Sequence, residues 1–304
     1  MNTPNASGRP RLGIGTVQFG TEYGITNRRG KPSMTEVSRI VQLAADAGAT
    51  LLDTAALYGE AEQVLGSVLP LRHGFDIVTK TIQLRKAEIM RSDVDRVEQA
   101  FHVSLLRLRQ TSVYGLLAHH ADDLLAPGGD QLFARMQEWK RARQVKKIGV
   151  SVYSAAQIDA LLPRYPIDII QLPLNLLDQR LVISGHLARL RKRNVEIHSR
   201  SVFLQGLLLI PPDRLPDYFH PVRGLLKTYN TWLNRQGWSP LEGALAYVRT
   251  RPEIDTVIVG VCVREELQEI FEAWSHLTDK PIDMSAFQCD NDDVVNPSTW
   301  KVKT

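Results

Sequence analysis

The chain has 304 residues, 43% of them hydrophobic and 23% charged, which is a globular make-up with room for one large domain or two small ones. Its net charge of +4 is mild and spread along the sequence, which argues against a nucleic-acid partner but suits an anionic ligand such as a dinucleotide. No apolar run approaches the ~18 residues of a membrane helix, residues 1–10 are too polar for a secretory signal, and Cys262 and Cys289 have no metal spacing, so a cytoplasmic protein with no membrane partner and no metal is expected.

Short β-rich runs alternate with helical patterns from end to end. A strand is predicted over 11–15, and the turn Gly15-Thr16-Val17-Gln18-Phe19-Gly20 lets backbone approach a ligand closely. Val37, Ile40, Val41 and Ala44 repeat at helical spacing over 34–47, and Gly48 suits the helix end. A strand over 50–52 stops at Asp53, and a polar turn with Tyr58 and Gly59 leads into a helix over 59–68. Strand three covers 76–79 and ends on Lys80. Val97, Ala100, Phe101, Leu105 and Leu106 mark an amphipathic helix over 94–108. Strand four, 113–118, ends on His119 and His120. Further strands are predicted over 147–150, 167–172, 195–199 and 256–259, with helices over 131–143, 155–162, 184–193, 241–249 and 265–274. The connection after strand seven is long and carries Pro211, Pro212, Pro216 and Pro221.

Eight strands, each followed by a helix, with no linker or shift in composition, predict one α/β domain over 1–304: a (β/α)8 TIM barrel. A doubly wound open sheet has fewer strands and a G-x-G-x-x-G turn after the first, and that motif is absent here.

In such a barrel the C-terminal ends of all strands open on one face. Asp53, Lys80 and His119 end strands two, three and four, and Tyr58 follows strand two, so four ionisable side chains converge on one rim. Read singly they are a capping Asp, a surface aromatic, a surface Lys and a satisfied His. Read jointly they suit carbonyl reduction. A phenol can give the oxygen a proton, an ammonium can favour the phenolate, a carboxylate can hold that ammonium, and an imidazole can orient the oxygen. The hydride must come from a cofactor, since no side chain supplies one.

Asp53-Thr54-Ala55 with Tyr58-Gly59, Glu62 and Gly66, Lys80 after its strand, and Leu117-Ala118-His119-His120-Ala121-Asp122 resemble the motifs of the aldo-keto reductase family over nearly the whole chain. The resemblance implies a catalytic tetrad of Asp53, Tyr58, Lys80 and His119, with His119 rather than His120 in the family position. Residues 15–24 and 200–206 are similar to a bacterial branch associated with carbohydrate pathways. The same resemblance implies that Ser151 and Gln171 hold a nicotinamide amide and that Arg200 offers a plane for the ring. Gly15, Thr16, Ser201, Leu204, Gln205, Gly206, Gly260 and Arg264 are the remaining candidates, the last for phosphate near a helix start. The asparagine common after the family serine is Val152 here, and Cys262 and Val263 replace the usual basic and hydroxyl residues.

The expectation is an NADP(H)-dependent reductase of a small aldehyde or ketone, sugar-like ones among the candidates, with NAD(H) as the other cofactor. Rival readings are an NAD-dependent sugar or alcohol dehydrogenase, a nicotinamide-binding regulatory subunit, and a lyase using Lys80 as a Schiff base. The sequence leaves the oligomeric state open.

Overall fold

Eight short strands, all parallel, close on themselves in chain order, with β1 hydrogen-bonded to β8. They are β1 (Arg11–Gly15), β2 (Leu51–Asp53), β3 (Asp76–Lys80), β4 (Val113–Ala118), β5 (Val145–Ser151), β6 (Ile169–Pro173), β7 (Glu196–Arg200) and β8 (Thr256–Gly260). The structure, a computed structural model, describes residues 9–278 and 280–301. Residues 1–8, most of the polar start, and 302–304 lie outside that range.

The outer ring is α1 (Met34–Asp46), α2 (Ala61–Val68), α3 (Arg91–Leu108), α4 (Gly129–Arg141), α5 (Ala155–Leu161), α6 (His186–Lys192), α7 (Arg223–Gln236), α8 (Pro240–Arg249) and α9 (Arg264–His276). Most bury one stripe, whereas α8 is buried all round from Gly243 to Val248. In α1 the stripe is Val37, Ile40, Val41 and Ala44, the spacing of about 3.6 that places them on one side. Side-chain caps start several of these helices. Ser33 Oγ accepts from Glu36 N at 3.2 Å, and Ser239 and Glu242 form a reciprocal capping box before Pro240.

Two features depart from the sequence expectation. The long connection after β7 contains a full helix, α7, which buries Leu226, Tyr229 and Leu233. The prolines at 211, 212, 216 and 221 all precede it and confine the irregular path to its approach. The helix expected over 184–193 is present as α6, and a further short helix, Arg180–Ile183, precedes it across Gly185 with φ +72°.

The strands place the site by their period of two. Leu51, Val78, Leu117, Ile169 and Ile258 belong to one buried cluster, inside the barrel. Two residues on from the first four stand Asp53, Lys80, His119 and Gln171, on the same face. The inward apolar layer thus sets the floor on which the polar layer rests.

The Tyr58 loop is fixed by a backbone contact. A Cβ on Gly20 would lie 1.8 Å from the Tyr58 carbonyl oxygen, and one on Gly59 would lie 2.3 Å from the Gly20 oxygen. Gly59 is also left-handed, with φ +56°. Gly20→Ala is therefore expected to destabilise the protein by about 3 kcal/mol or more. Urea unfolding of variant and wild type checks this, and equal midpoints would show that the two loops are not in contact.

Candidate active site

Asp53 and Lys80 form the centre. Lys80 Nζ donates to both carboxylate oxygens of Asp53 at 2.8 Å and to the Thr54 carbonyl at 2.9 Å. The Lys80 side chain is 0% exposed, so all three ammonium protons need these acceptors. From across the barrel Gln171 Nε2 donates to Asp53 Oδ1 at 2.7 Å. Desolvation lowers the Lys80 pKa from its ordinary value, while the Asp53 charge opposes the shift.

Tyr58 lies above this pair. Lys80 Nζ sits 4.9 Å from the Tyr58 ring centroid, so the ammonium faces the ring while its protons go to Asp53 and Thr54. Burial, and secondarily the Asp53 charge, push the Tyr58 phenol well above its ordinary range, with Arg200 acting in the opposite direction. The phenol is therefore held protonated. Lys80 is hydrogen-bonded to Asp53, as expected from the sequence, and with its three protons taken it meets Tyr58 by its charge at the ring rather than by a hydrogen bond.

His119 meets Tyr58 edge-on, with ring centroids 5.9 Å apart and planes at 85°. Its backbone N–H donates to Thr81 Oγ1 at 3.2 Å. Desolvation, then the charges of Lys80 and Arg200, lower its pKa to about 3, so the imidazole is neutral near pH 7. His120 turns away, with Nδ1 3.2 Å from Asp123 Oδ1. The Asp123 carboxylate also accepts from Leu84 N and Arg85 N, both at 2.8 Å, and so ties the loop after β3 to the loop after β4.

Asp53, Tyr58 and His119 open onto a cavity of about 690 Å³, and Lys80 lies beneath its floor. Gly15, Thr16, Ser151, Gln171, Arg200, Ser201, Gln205, Gly206 and Gly260 also line it. Two candidates do not. Leu204 is fully buried in the hydrophobic core, with φ +49°. Arg264 opens α9 outside the lining, and its N–H is taken by Glu36 Oε1 at 2.7 Å.

The structure adds Tyr153, Arg28, Arg29 and Glu269 to the residues singled out in the sequence and brings Tyr23, Cys262 and Glu266 to the same cavity. Tyr153 lies under the Arg200 guanidinium, 4.2 Å from its ring centroid. Tyr23, at the mouth, is 37% exposed, yet desolvation raises its phenol to about 12. Arg28 and Arg29 line the far part with Cys262, Glu266 and Glu269. There Glu266 Oε2 accepts from Cys262 N at 2.7 Å, placing a carboxylate beside the start of α9. The signal for Arg28-Arg29 was a basic pair in the loop after β1, which only the fold brings to β8. The β1 and β7 loops meet above the cavity: Ile25 N donates to Gln205 O at 3.2 Å, and a Cβ on Gly206 would lie 2.1 Å from Thr26 Oγ1.

Comparison with known proteins gives a family and a fold. The Aldo/keto reductase family model matches residues 11–286. The aldo-keto reductase YhdN of Bacillus subtilis (strain 168) is 31% identical over 179 residues, 56% of this chain and 52% of that protein. The chain thus spans about half the length of that curated relative. The aldo-keto reductase AKR11C1 of Bacillus halodurans, in its holo form, superposes with a TM-score of 0.70 at 21% identity, covering 91% of this chain and 89% of that one. Its apo form gives 0.70 at 22% identity, with 91% and 90% covered. At such identities these structures show the fold.

The buried imidazole has a measurable consequence. Below its unfolded pKa of about 6.5, His119 takes a proton in the unfolded chain that it refuses in the folded one until about pH 3. Its neutral burial therefore favours folding above that window and costs stability progressively as pH falls through it, by at most about 1.4 kcal/mol per pH unit. Urea midpoints at pH 7.5, 6, 5 and 4 should fall less steeply in His119→Asn than in wild type. Parallel pH dependences would remove His119 as the source.

Proposed function

This chain belongs to the aldo/keto reductase family, and on that premise we propose that it is a nicotinamide-dependent oxidoreductase that reduces an aldehyde or ketone to an alcohol, or runs the reverse oxidation. The observation that carries the proposal is the buried Asp53–Lys80 pair beneath Tyr58 and His119 at the cavity floor. Two rivals fit less well. A Schiff-base role needs a free amine, whereas the Lys80 protons are directed at Asp53 and Thr54. A regulatory nicotinamide-binding subunit has no need of a protonated phenol and a neutral imidazole facing one cavity.

The residues fit the cofactor. Gln171 Oε1 is buried without a hydrogen-bond partner among the described residues, while its Nε2 is held by Asp53. Ser151 lines the cavity on the neighbouring strand, in register with Gln171. Together they offer an acceptor and a hydroxyl to a nicotinamide carboxamide. When bound, the reduced nicotinamide supplies a hydride to the carbonyl carbon and is left oxidised. Tyr58 gives its proton to the carbonyl oxygen and recovers one from solvent. Neutral His119 hydrogen-bonds the same oxygen and orients it. Lys80 steadies the developing phenolate, and Asp53 keeps Lys80 charged and aimed.

We favour NADP(H), with Arg28 and Arg29 rather than Arg264 as the cations for its 2′-phosphate, because they line the cavity. NAD(H) is the second reading. Glu266 and Glu269 line the same region, and the carboxylate on Cys262 N would repel a phosphate while accepting from a ribose hydroxyl. Fluorescence titration is expected to give tighter NADPH than NADH binding. Arg29→Gln should weaken NADPH the more, and Glu266→Gln should strengthen it. Tighter NADH binding in the wild type transfers the choice to NAD(H).

Tyr58→Phe keeps the ring and removes the proton. It should leave cofactor Kd near the wild-type value and lower kcat by about 10²–10⁴-fold. Lys80→Met should act similarly, and the double variant should be little worse than either single. A Tyr58→Phe enzyme with near-normal kcat would take Tyr58 out of the mechanism. A wild type that binds cofactor but turns over no carbonyl or alcohol would favour the regulatory reading.

A further inference from the structure

One charge in the catalytic half of the cavity has no partner of opposite sign. Lys80 and Asp53 neutralise each other, and His119 is neutral near pH 7. Arg200 is different. Its guanidinium donates to Ser201 Oγ at 3.3 Å and to the Val152 carbonyl at 3.2 Å and lies over Tyr153, all of them uncharged partners. Among the described residues no carboxylate forms an ion pair with it. Of its five N–H donors, two have these acceptors.

The guanidinium is also close to the chemistry. It is anchored on Val152, the residue after Ser151, and its charge acts on Tyr58, His119 and Tyr23, which line the same cavity. A half-buried cation is costly without a counter-ion. The nicotinamide end of a cofactor cannot provide one, because the ring and its carboxamide are neutral when reduced and cationic when oxidised. The remaining molecule at this end is the substrate.

We propose that Arg200 recognises an anionic group, a carboxylate, carried on the same substrate as the carbonyl, so that the preferred substrates are acidic aldehydes or ketones. The inference rests on the oxidoreductase reading above and adds the substrate class. The planar fork suits bidentate recognition of a carboxylate. The Tyr153 ring fixes the plane of that fork from one side, which spares the ligand part of the ordering cost. Sugar-like neutral substrates, by contrast, would leave the charge unmatched.

The test compares 4-carboxybenzaldehyde with its neutral methyl ester in wild type, Arg200→Gln and Arg200→Lys. The wild type should favour the acid by about tenfold or more, mainly through KM. Arg200→Gln should bring that ratio close to one, and Arg200→Lys should restore part of it, since a point charge lacks the fork. Calorimetric titration of benzoate against benzamide gives a readout free of turnover. Benzoate should bind the wild type about tenfold more tightly, and Arg200→Gln should abolish the difference. No preference for benzoate over benzamide in the wild type would overturn the proposal. So would an acid-to-ester ratio that survives in Arg200→Gln while cofactor Kd worsens, because the counter-ion would then be a cofactor phosphate. If no carbonyl is reduced at all, the oxidoreductase reading fails by itself, and the benzoate titration still decides the role of Arg200.

Discussion

A buried ion pair between two neighbouring strands is the constraint on which the rest of this molecule depends. Asp53 ends β2 and Lys80 ends β3, and both are withdrawn from water. Neither charge is tolerable there alone, since an unpaired buried ion costs several kcal/mol. The pair is completed by Thr54 from the backbone and by Gln171 from β6. Gln171 is 118 residues from Asp53 in sequence and reaches it because the sheet closes into a cylinder. The network therefore ties the floor of the site to barrel closure.

The layer below explains why the floor is rigid. Leu51, Val78, Leu117 and Ile169 fill the interior directly beneath the polar residues. On the outer side of the same strands, Thr79 donates to the buried Glu62 of α2 at 2.6 Å. Burial raises the Glu62 carboxyl above its ordinary pKa, and the Thr79 hydrogen bond opposes that shift. β3 thus carries two roles by alternation: Lys80 inward to the chemistry, Thr79 outward to the helix that follows Tyr58.

The sequence made much of this legible for a specific reason. Strand ends are marked where an apolar run stops, so Asp53, Lys80 and His119, with Tyr58 in the turn after strand two, could be placed on one rim before any coordinates, and the family motifs gave the four their roles. Residues whose roles depend on loop paths were not legible. Arg264 sits at a helix start in the sequence, but it lies outside the cavity lining, with its backbone N–H taken by Glu36, 228 residues away. Leu204 shares a motif with Ser201, Gln205 and Gly206, yet only the left-handed turns of that stretch send it into the core. Tyr153 and Arg29 meet the cavity from two separate loops. Helix α7 was hidden because the prolines before it read as a loop, although Leu226, Tyr229 and Leu233 keep helical spacing.

The contact between Gly20 and Gly59 divides the rim into parts of unequal freedom. At that point two backbones touch with no side chain between them, so the turn after β1 and the loop bearing Tyr58 behave as a single block. Lengthening either one would drag the phenol off the floor. Among the described residues the β7 connection shows no such backbone weld to the Tyr58 loop; it touches the β1 loop further out, at Thr26 and Ile25. Diversification of what this scaffold accepts is thereby channelled into the segment between Arg200 and α7, where insertions can reshape the walls without disturbing the proton donor.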